Sequence, residues 1–249
     1  MFMFSFFEVP KGVLKKLDYY RSRFFWQNDD HKKKYRLTRW SVVCTPKDQR
    51  GLGILNLETQ NKCLLSKWLF KLLNTEGMWQ TLLSRKYLRD KTLTQVQHMP
   101  GDSHFWASLM GVKDEFLRLG SFRVGNGTQV RFWEDVWLGN QPLRDKFPNL
   151  YNIARKKNAS VCTVLASTPL QVAFRRSLIG ANLRDWHRVV TSVMNIHLTN
   201  ERDVFVWGLH QNGLFFVKSM YRTLMIAHAL PFTINIWKVK MPLKIKVFM

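Results

Sequence analysis

Hydrophobic side chains in the first half of the chain recur with a helical period. From Lys11 to Trp26 they alternate with lysines and arginines, which predicts a basic amphipathic helix. A longer apolar stripe begins near Leu57 and is closed by Asn74 and Gly77, so it predicts a second helix. The same spacing predicts helices over residues 78–88 and 103–119. Most of their leucines and aromatic side chains are expected in the core.

Alternating patterns are shorter and lie mainly in the second half. Trp40, Val42 and Cys44 alternate as a short strand. Residues 121–133 form two alternating runs around Asn126-Gly127, a dipeptide typical of type I′ turns, and predict a β-hairpin. Residues 204–207 and 214–217 predict a second hairpin that leads into a helix, and a further helix is predicted over 182–194.

These patterns predict an α+β fold, with a mainly α-helical N-terminal half and a mixed C-terminal half with two short β-hairpins. The change of pattern near Gly120 places a segment boundary there. We expect three segments, over residues 1–120, 121–200 and 201–249.

The net charge of the chain indicates a binding partner. The 249 residues contain 39 Lys and Arg against 17 Asp and Glu, which gives a formal net charge of +22. That surplus exceeds what solubility requires and indicates an anionic partner: nucleic acid, an anionic membrane or an acidic protein. Basic residues are interleaved with aromatic ones through the whole length, which favours a long binding surface for nucleic acid.

The densest basic cluster predicts a phosphate-binding patch. Its residues are Lys32, Lys33, Lys34, Arg36 and Arg39. A solvated charged loop explains the same cluster equally well, because phosphate contacts need no specific geometry. Four tryptophans are candidate stacking platforms for bases, although core packing is the stronger interpretation of each. They are Trp40, Trp133, Trp137 and Trp207.

Catalytic and metal-binding patterns are missing from the sequence. Asp29-Asp30 is the one Asp-Asp pair, and it lies in a hydrophilic stretch with no strand to hold two carboxylates in place. No histidine or cysteine spacing matches a zinc site, and Gly51 to Gly53 is a turn. The three cysteines are far apart, which favours a reducing compartment. We therefore expect no enzyme, no metal and no cofactor.

The two ends of the chain are apolar. The first ten residues are too short to span a bilayer and lack the features of an export signal. We expect no membrane span and an intracellular protein, in the nucleus or cytoplasm. The abrupt apolar ends also suggest a fragment cut from a larger protein.

Several stretches resemble, in the family's order, the downstream part of plant LINE-type (non-LTR) retrotransposon reverse transcriptases. They are FEVPKGVLKKLDYYRSRFFWQ, TRWSVVCTPKDQRGLGILNLETQNKCLLSKWLFKLL, VGNGTQVRFWEDVWLGNQPLRDKFPNL, DVFVWGLHQNGLFFVKSMYRTL and IWKVKMPLKIKVFM. The resemblance implies a helical thumb or linker-like segment after the polymerase palm over residues 1–120, a linker segment over 121–200, and the start of the reverse transcriptase zinc-binding domain over 201–249. The zinc ligands of that domain lie further downstream in the family, so no metal is carried over.

The polymerase signature of such elements, an aromatic-x-Asp-Asp hairpin, has no counterpart here, and neither have the endonuclease and ribonuclease H carboxylates. The resemblance therefore implies a non-catalytic binding and scaffolding segment. Its expected partners are RNA or a DNA–RNA hybrid and the polymerase and zinc-binding domains of the parent polyprotein. The alternative is a relic of a degraded element, or a structural interaction module that binds no nucleic acid.

Overall fold

The computed structural model describes residues 3–26, 38–49, 51–167 and 169–227. Its α-helices are α1 (Lys11–Trp26), α2 (Trp40–Val43), α3 (Leu57–Asn74), α4 (Met78–Leu83), α5 (His104–Leu117), α6 (Leu143–Lys146), α7 (Pro148–Ile153), α8 (Val161–Leu165), α9 (Ala181–Val193) and α10 (Val217–Ala227). The strands are β1 (Gly120–Arg123) and β2 (Val204–Trp207). Short 3-10 turns cover Met3–Ser5, Lys47–Gln49 and Leu93–Gln95, and a π-helical turn, Ser84–Leu88, extends α4. The helix-rich α+β class predicted from sequence is confirmed.

The long periodic segments form the predicted helices. Helices α1 and α3 span the predicted ranges, and α5 and α9 end within two residues of theirs. Local apolar spacing is sufficient for such elements because each backbone N–H finds its acceptor within the same segment.

Both predicted hairpins are wrong. Strand β1 pairs antiparallel with β2, with Phe122 opposite Phe205, instead of turning back at Asn126-Gly127. Gly127 has a φ of +69°, but Asn126 is not in the positive-φ region that a type I′ turn requires. In the second hairpin only 204–207 is a strand, and Val217 begins α10.

The predicted strand at Trp40 is also wrong, because Trp40–Val43 is a single helical turn. The carbonyl of Arg39 accepts the N–H of Val43 at 3.2 Å, and that of Trp40 accepts the N–H of Cys44 at 3.0 Å. These local bonds supply the partners that a strand would need from a neighbouring strand.

The described residues divide into two compact units. The first comprises residues 3–26, 38–49, 51–67, 103–112 and 216–227. Its core contains the fully buried Cys63, Leu65, Trp106 and Leu109. The buried amide of Asn61 holds the N-terminal segment, since its Oδ1 accepts the Val9 N–H at 2.9 Å and its Nδ2 donates to the Phe7 carbonyl at 2.8 Å.

The second unit comprises residues 68–102, 113–167 and 169–215. An aromatic cluster covers the two-stranded sheet, and the Phe116 and Trp207 rings stack with their centroids 5.5 Å apart. A second apolar core lies among the segments after β1, around the fully buried Phe132, Trp133 and Leu150.

The three-segment division of the chain, which has not been tested, stays a prediction.

The outer edge of β2 is covered by one side chain. The Asn74 amide donates to the Phe205 carbonyl at 2.8 Å and its Oδ1 accepts the Phe205 N–H at 2.8 Å. The amide therefore pairs with Phe205 as a residue of a neighbouring strand would, and it satisfies an edge that β1 leaves open.

Asp203 explains why the first hairpin does not form. Its buried carboxylate accepts the backbone N–H groups of Gly125, Gly127 and Gln129 at 2.8, 2.8 and 2.9 Å. The Gly125 N–H, which would pair across a hairpin turning at Asn126-Gly127, is therefore engaged by a residue far away in sequence.

Candidate nucleic-acid interface

The basic cluster that the sequence singles out lies mostly outside the described residues. Four of its residues lie outside the described ranges: Lys32, Lys33, Lys34 and Arg36. The predicted phosphate binding by these four stays untested. Arg39 is exposed and immediately precedes α2.

Trp40 is half-buried, and its ring is already in contact with other side chains. The Arg21 guanidinium carbon lies 5.4 Å from the ring centroid, and the Phe25 ring meets it edge to face at 6.0 Å. A base has less of this ring available than an exposed tryptophan would offer. Trp133, Trp137 and Trp207 are buried, which confirms the core interpretation of all three.

A better-defined basic surface lies in the second unit. Residues 153–157 and 173–176 lie side by side in an antiparallel bridge between Ala154 and Phe174. The Arg155 N–H donates to the Ala173 carbonyl at 2.9 Å, and the Arg175 N–H donates to the Ile153 carbonyl at 2.8 Å. The pairing brings together five cations, which we call the basic patch: Arg155, Lys156, Lys157, Arg175 and Arg176.

The basic patch is accessible and carries uncompensated charge. All of its members except the half-buried Lys157 are exposed, and none forms an ion pair with a carboxylate in the part of the chain that the structure describes. The sequence around it, residues 146–184, contains seven Lys and Arg and no Asp or Glu. This stretch of the sequence therefore contributes only positive charge to the surface around the basic patch.

Flat apolar side chains adjoin the basic patch. Phe174, next to Arg175 in sequence, packs edge to face on Trp186 with ring centroids 5.1 Å apart. Both rings line a cleft of about 770 Å³ whose other walls include Leu170, Val172 and Ile196. A cleft of this size and lining accommodates a planar ring.

Sequence reasoning missed the basic patch, although part of the signal was present. Arg155-Lys156-Lys157 and Arg175-Arg176 are visible as two short runs in an acid-free stretch. Their proximity depends on a bridge between segments about twenty residues apart, which neither run indicates on its own.

Sequence reasoning also missed a second pair of adjacent carboxylates, Glu134 and Asp135. Both residues line a cavity of about 520 Å³. Asp135 accepts the Arg131 N–H at 2.7 Å and a short hydrogen bond from the Thr94 hydroxyl. Glu134 accepts from the Gln95 amide at 2.6 Å and from the Tyr151 hydroxyl at 3.2 Å.

Burial dominates the titration of the Asp135 carboxyl. Loss of solvation raises its pKa from 3.8 to about 6, and the bonds from Arg131 and Thr94 offset only part of that rise. Because protein donors occupy both oxygens of Asp135, the pair holds the surrounding loops together. Among the described residues no group of three His, Cys, Asp or Glu side chains has the arrangement of a metal site.

The cysteines do not form a reactive set. Cys44 and Cys63 are buried free thiols, and Cys162 is half-buried. Burial raises the pKa of Cys44 to about 11, so its nucleophilic thiolate is scarce near neutral pH. No described helix has the length and hydropathy needed to cross a bilayer.

Two plant proteins are similar to this chain. One is the "Putative ribonuclease H protein" of Arabidopsis thaliana, 26% identical over 254 residues that cover 97% of this chain and 40% of the relative. The other, an Arabidopsis protein named "Uncharacterized mitochondrial protein", is 28% identical over 144 residues, which cover 55% of this chain and 91% of that relative. The chain thus spans about two fifths of the first relative's length. No family model and no solved structure matches the chain.

These relatives confirm the predicted plant affiliation. The finer assignment, to LINE-type reverse transcriptases, stays a prediction based on the resemblance of the sequence blocks.

Proposed function

We propose that the chain is a non-catalytic, nucleic-acid-binding segment of a retrotransposon reverse transcriptase polyprotein, which holds RNA or a DNA–RNA hybrid by its phosphates. The observation that carries the proposal is the basic patch, where a backbone bridge brings together two segments with five cations, none of which is paired with a described carboxylate. Cations held in this way bind phosphates and release counterions, which is the main source of affinity in non-specific nucleic-acid binding.

The retroelement part of the proposal depends on sequence. The quoted blocks extend over nearly the whole chain in the order of the LINE-type family, and the name of one relative refers to ribonuclease H, an activity concerned with RNA. The polymerase and zinc-binding domains of the parent polyprotein are then the expected protein partners.

Base contacts are proposed for the cleft beside the basic patch. A strand whose phosphates lie on Arg175 and Arg176 can place a base against Phe174 or Trp186. Stacking of this kind contributes about 1–3 kcal/mol per base and tolerates any sequence. We therefore expect binding that is strong at low salt and weakly selective for sequence.

A salt titration of RNA binding tests the proposal. Anisotropy of a labelled single-stranded RNA of about 20 nucleotides is followed between about 50 and 200 mM salt, where affinity should fall steeply. Replacing Arg155, Lys156, Arg175 and Arg176 with Gln should reduce the slope of log affinity against log salt by about 3, since each single-strand contact contributes about 0.7. Undetectable or salt-insensitive binding by the wild type would contradict the proposal.

The matched control removes the same charge from the first unit. Lys11, Lys15, Lys16 and Lys47 are all exposed there, and their replacement with Gln lowers the net charge equally. A slope reduced to the same extent by this control would assign binding to total charge instead of to the basic patch.

The Lys32 cluster is tested separately. Replacing Lys32, Lys33 and Lys34 with Ala should weaken binding by similar factors for RNAs of different sequence, because phosphate contacts do not depend on bases. Unchanged affinity would remove this cluster, together with Arg36 and Arg39, from the interface.

The absence of catalysis is also a proposal. We expect no product in a primer-extension assay with Mg²⁺ or Mn²⁺, because the sequence lacks the aromatic-x-Asp-Asp signature that holds the metal ions of such polymerases. Metal-dependent extension by the purified chain would overturn this part of the proposal.

A structural interaction module, or a relic, is the second candidate. Helix α1 exposes apolar side chains, including Val13, Tyr20 and Phe24, of which Phe24 is 87% exposed. Such a face is typical of a surface that packs on another protein domain. Light scattering separates the candidates, because a relic should aggregate and bind no RNA, whereas a monodisperse chain with salt-sensitive RNA binding favours the first proposal.

A further inference from the structure

A second basic site in the second unit is concave. A pocket of about 290 Å³ is lined by Arg89, Lys91, Arg131 and Arg202, and its polar lining includes Thr128 and Gln129. The lining also contains two carboxylates, Asp90 and Asp203. Asp203 is engaged by three backbone N–H groups, and Arg202 forms an ion pair with Glu76 at 2.9 Å. Arg89, Lys91 and Arg131 form no ion pair with a described carboxylate, so the lining keeps an excess of positive charge. We call this site the arginine pocket.

Arg131 is fixed in the wall of the arginine pocket and forms no ion pair with a described carboxylate, although its charge acts on Asp135. One terminal nitrogen of its guanidinium donates to the Asp90 carbonyl at 2.5 Å and the other to the Asn158 carbonyl at 2.9 Å. Both acceptors are neutral, and its Nε–H, like that of Arg202, is buried with no acceptor in the described part of the chain. A half-buried charge that is held rigidly but not neutralised favours an anion beside it.

The rim of the arginine pocket contains a strained backbone. Arg89 follows the π-helical turn with φ +51° and ψ −112°, and it is the one non-glycine residue of the described ranges with a positive φ. Its side chain is exposed and forms no ion pair with another described residue. Strain of this kind is retained where the position of a side chain serves a purpose, and here it holds a cation at the pocket entrance.

Arg131 also connects the arginine pocket with the basic patch. Asn158, whose carbonyl it binds, follows Lys157, and Arg131 itself forms a bridge with Ser160. A strand lying on the basic patch therefore passes close to a concave site with excess positive charge. A pocket admits the end of a strand more readily than its middle, and a terminal phosphate carries one more negative charge than a phosphodiester.

We infer that the arginine pocket binds the terminal phosphate of a nucleic-acid strand whose internal phosphates lie on the basic patch. This inference rests on the proposed function and adds to it a preference for phosphorylated strand ends. Arg89, Lys91 and Arg131 supply the charge and donors for the phosphate oxygens, and the basic patch supplies the contacts along the strand.

The test compares RNAs of one sequence that carry a 5′-phosphate, a 3′-phosphate or hydroxyl groups at both ends. The wild-type chain should bind one of the phosphorylated RNAs about tenfold more tightly than the unphosphorylated RNA, as expected from one strong charge-assisted contact. Inorganic phosphate should compete for this increment and leave the remaining affinity in place.

Two variants assign the preference to the arginine pocket. Arg89→Gly removes a rim cation and relieves the strained backbone, so it should abolish the preference without lowering the melting temperature. Arg131→Gln should also abolish the preference. The matched control is Arg85→Gln, since Arg85 is exposed on the same π-helical turn but is not part of the pocket lining, and it should keep the preference.

The possible results separate the two proposals. Equal, salt-sensitive binding of all three RNAs would overturn the arginine pocket and leave the proposed function intact. A preference that survives both Arg89→Gly and Arg131→Gln would place the phosphate elsewhere and overturn the inference. Failure to bind any RNA in dilute buffer would overturn both proposals together.

Discussion

Single residues determine the local structure in places where the hydrophobic pattern of the sequence predicts nothing. Trp133 and Trp207 could be assigned to the core from sequence because large apolar rings are rarely left in solvent. The role of Asp203 could not be predicted, since an aspartate before an apolar run gives no sign that it will bind a glycine-containing loop far upstream. Residue type thus indicates burial, while the partners of polar groups follow only from the fold.

Loss of the Asp203 carboxylate should destabilise the protein. Asp203→Ala leaves the N–H groups of Gly125 and Gly127 buried without an acceptor, and we expect the free energy of unfolding to fall by about 3 kcal/mol. Urea denaturation followed by tryptophan fluorescence measures the change. Asp114→Ala is the control, because that side chain is 80% exposed and should change stability little. Equal losses in the two variants would argue against the special role of Asp203.

Asp135 gives the protein a pH-dependent stability with an unusual sign. Its pKa is about 6 in the folded protein, above its ordinary value of 3.8, so the folded protein holds this proton more tightly than the unfolded chain. The contribution of the protonated Asp135 to the free energy of unfolding is therefore fully present below about pH 4. It is lost as pH rises through about 6, and the total loss is about 3 kcal/mol.

The variant Asp135→Asn removes this titration. The difference in unfolding free energy between wild type and variant should change across pH 4 to 6, in the direction of a less stable wild type at higher pH, and stay constant above about pH 7. Urea denaturation at a series of pH values provides the curves. Parallel curves for the two proteins would show that Asp135 does not titrate in this range.

Whole elements were predictable to the extent that their hydrogen bonds are local. Helices α1, α3 and α9 follow from apolar spacing, because an α-helix closes its bonds four residues apart. The strands failed for the opposite reason. The alternating run at β1 identifies a strand but carries no information about its partner, and the nearest turn signal, Asn126-Gly127, favours the wrong one.

The loop that follows β1 and is bound by Asp203 has a close backbone contact at Gly125. A Cβ atom there would lie 2.4 Å from the Glu201 carbonyl oxygen, far inside van der Waals contact with rigid backbone. Gly125→Ala should therefore lower the free energy of unfolding by about 2 kcal/mol. Gly12→Ala in α1 is the control, since nothing lies within 4 Å of its Cβ, and a helical alanine should be neutral or slightly stabilising. Thermal denaturation compares both variants, and an unaffected Gly125→Ala would mean that the strand pair shifts freely.

At the scale of the whole molecule, composition predicts an anionic partner but gives no place where it would bind. The net charge of +22 indicates a polyanion, and the run from Lys32 to Lys34 is the most visible cluster in the sequence. The structure adds two surfaces that no single run reveals. The basic patch needs two segments to pair, and the arginine pocket draws its cations from three separate parts of the chain.

The pairing of β1 with β2 has a consequence for how the protein is made. About eighty residues separate Arg123 from Val204, so β1 leaves the ribosome several seconds before its partner at ordinary elongation rates of about 5–20 residues per second. During this interval the nascent β1 has no strand to bind. The residues that follow β1 can form the hairpin that Asn126-Gly127 favours. Once Asp203 is synthesised, its carboxylate binds the N–H groups of Gly125 and Gly127 and the native loop forms.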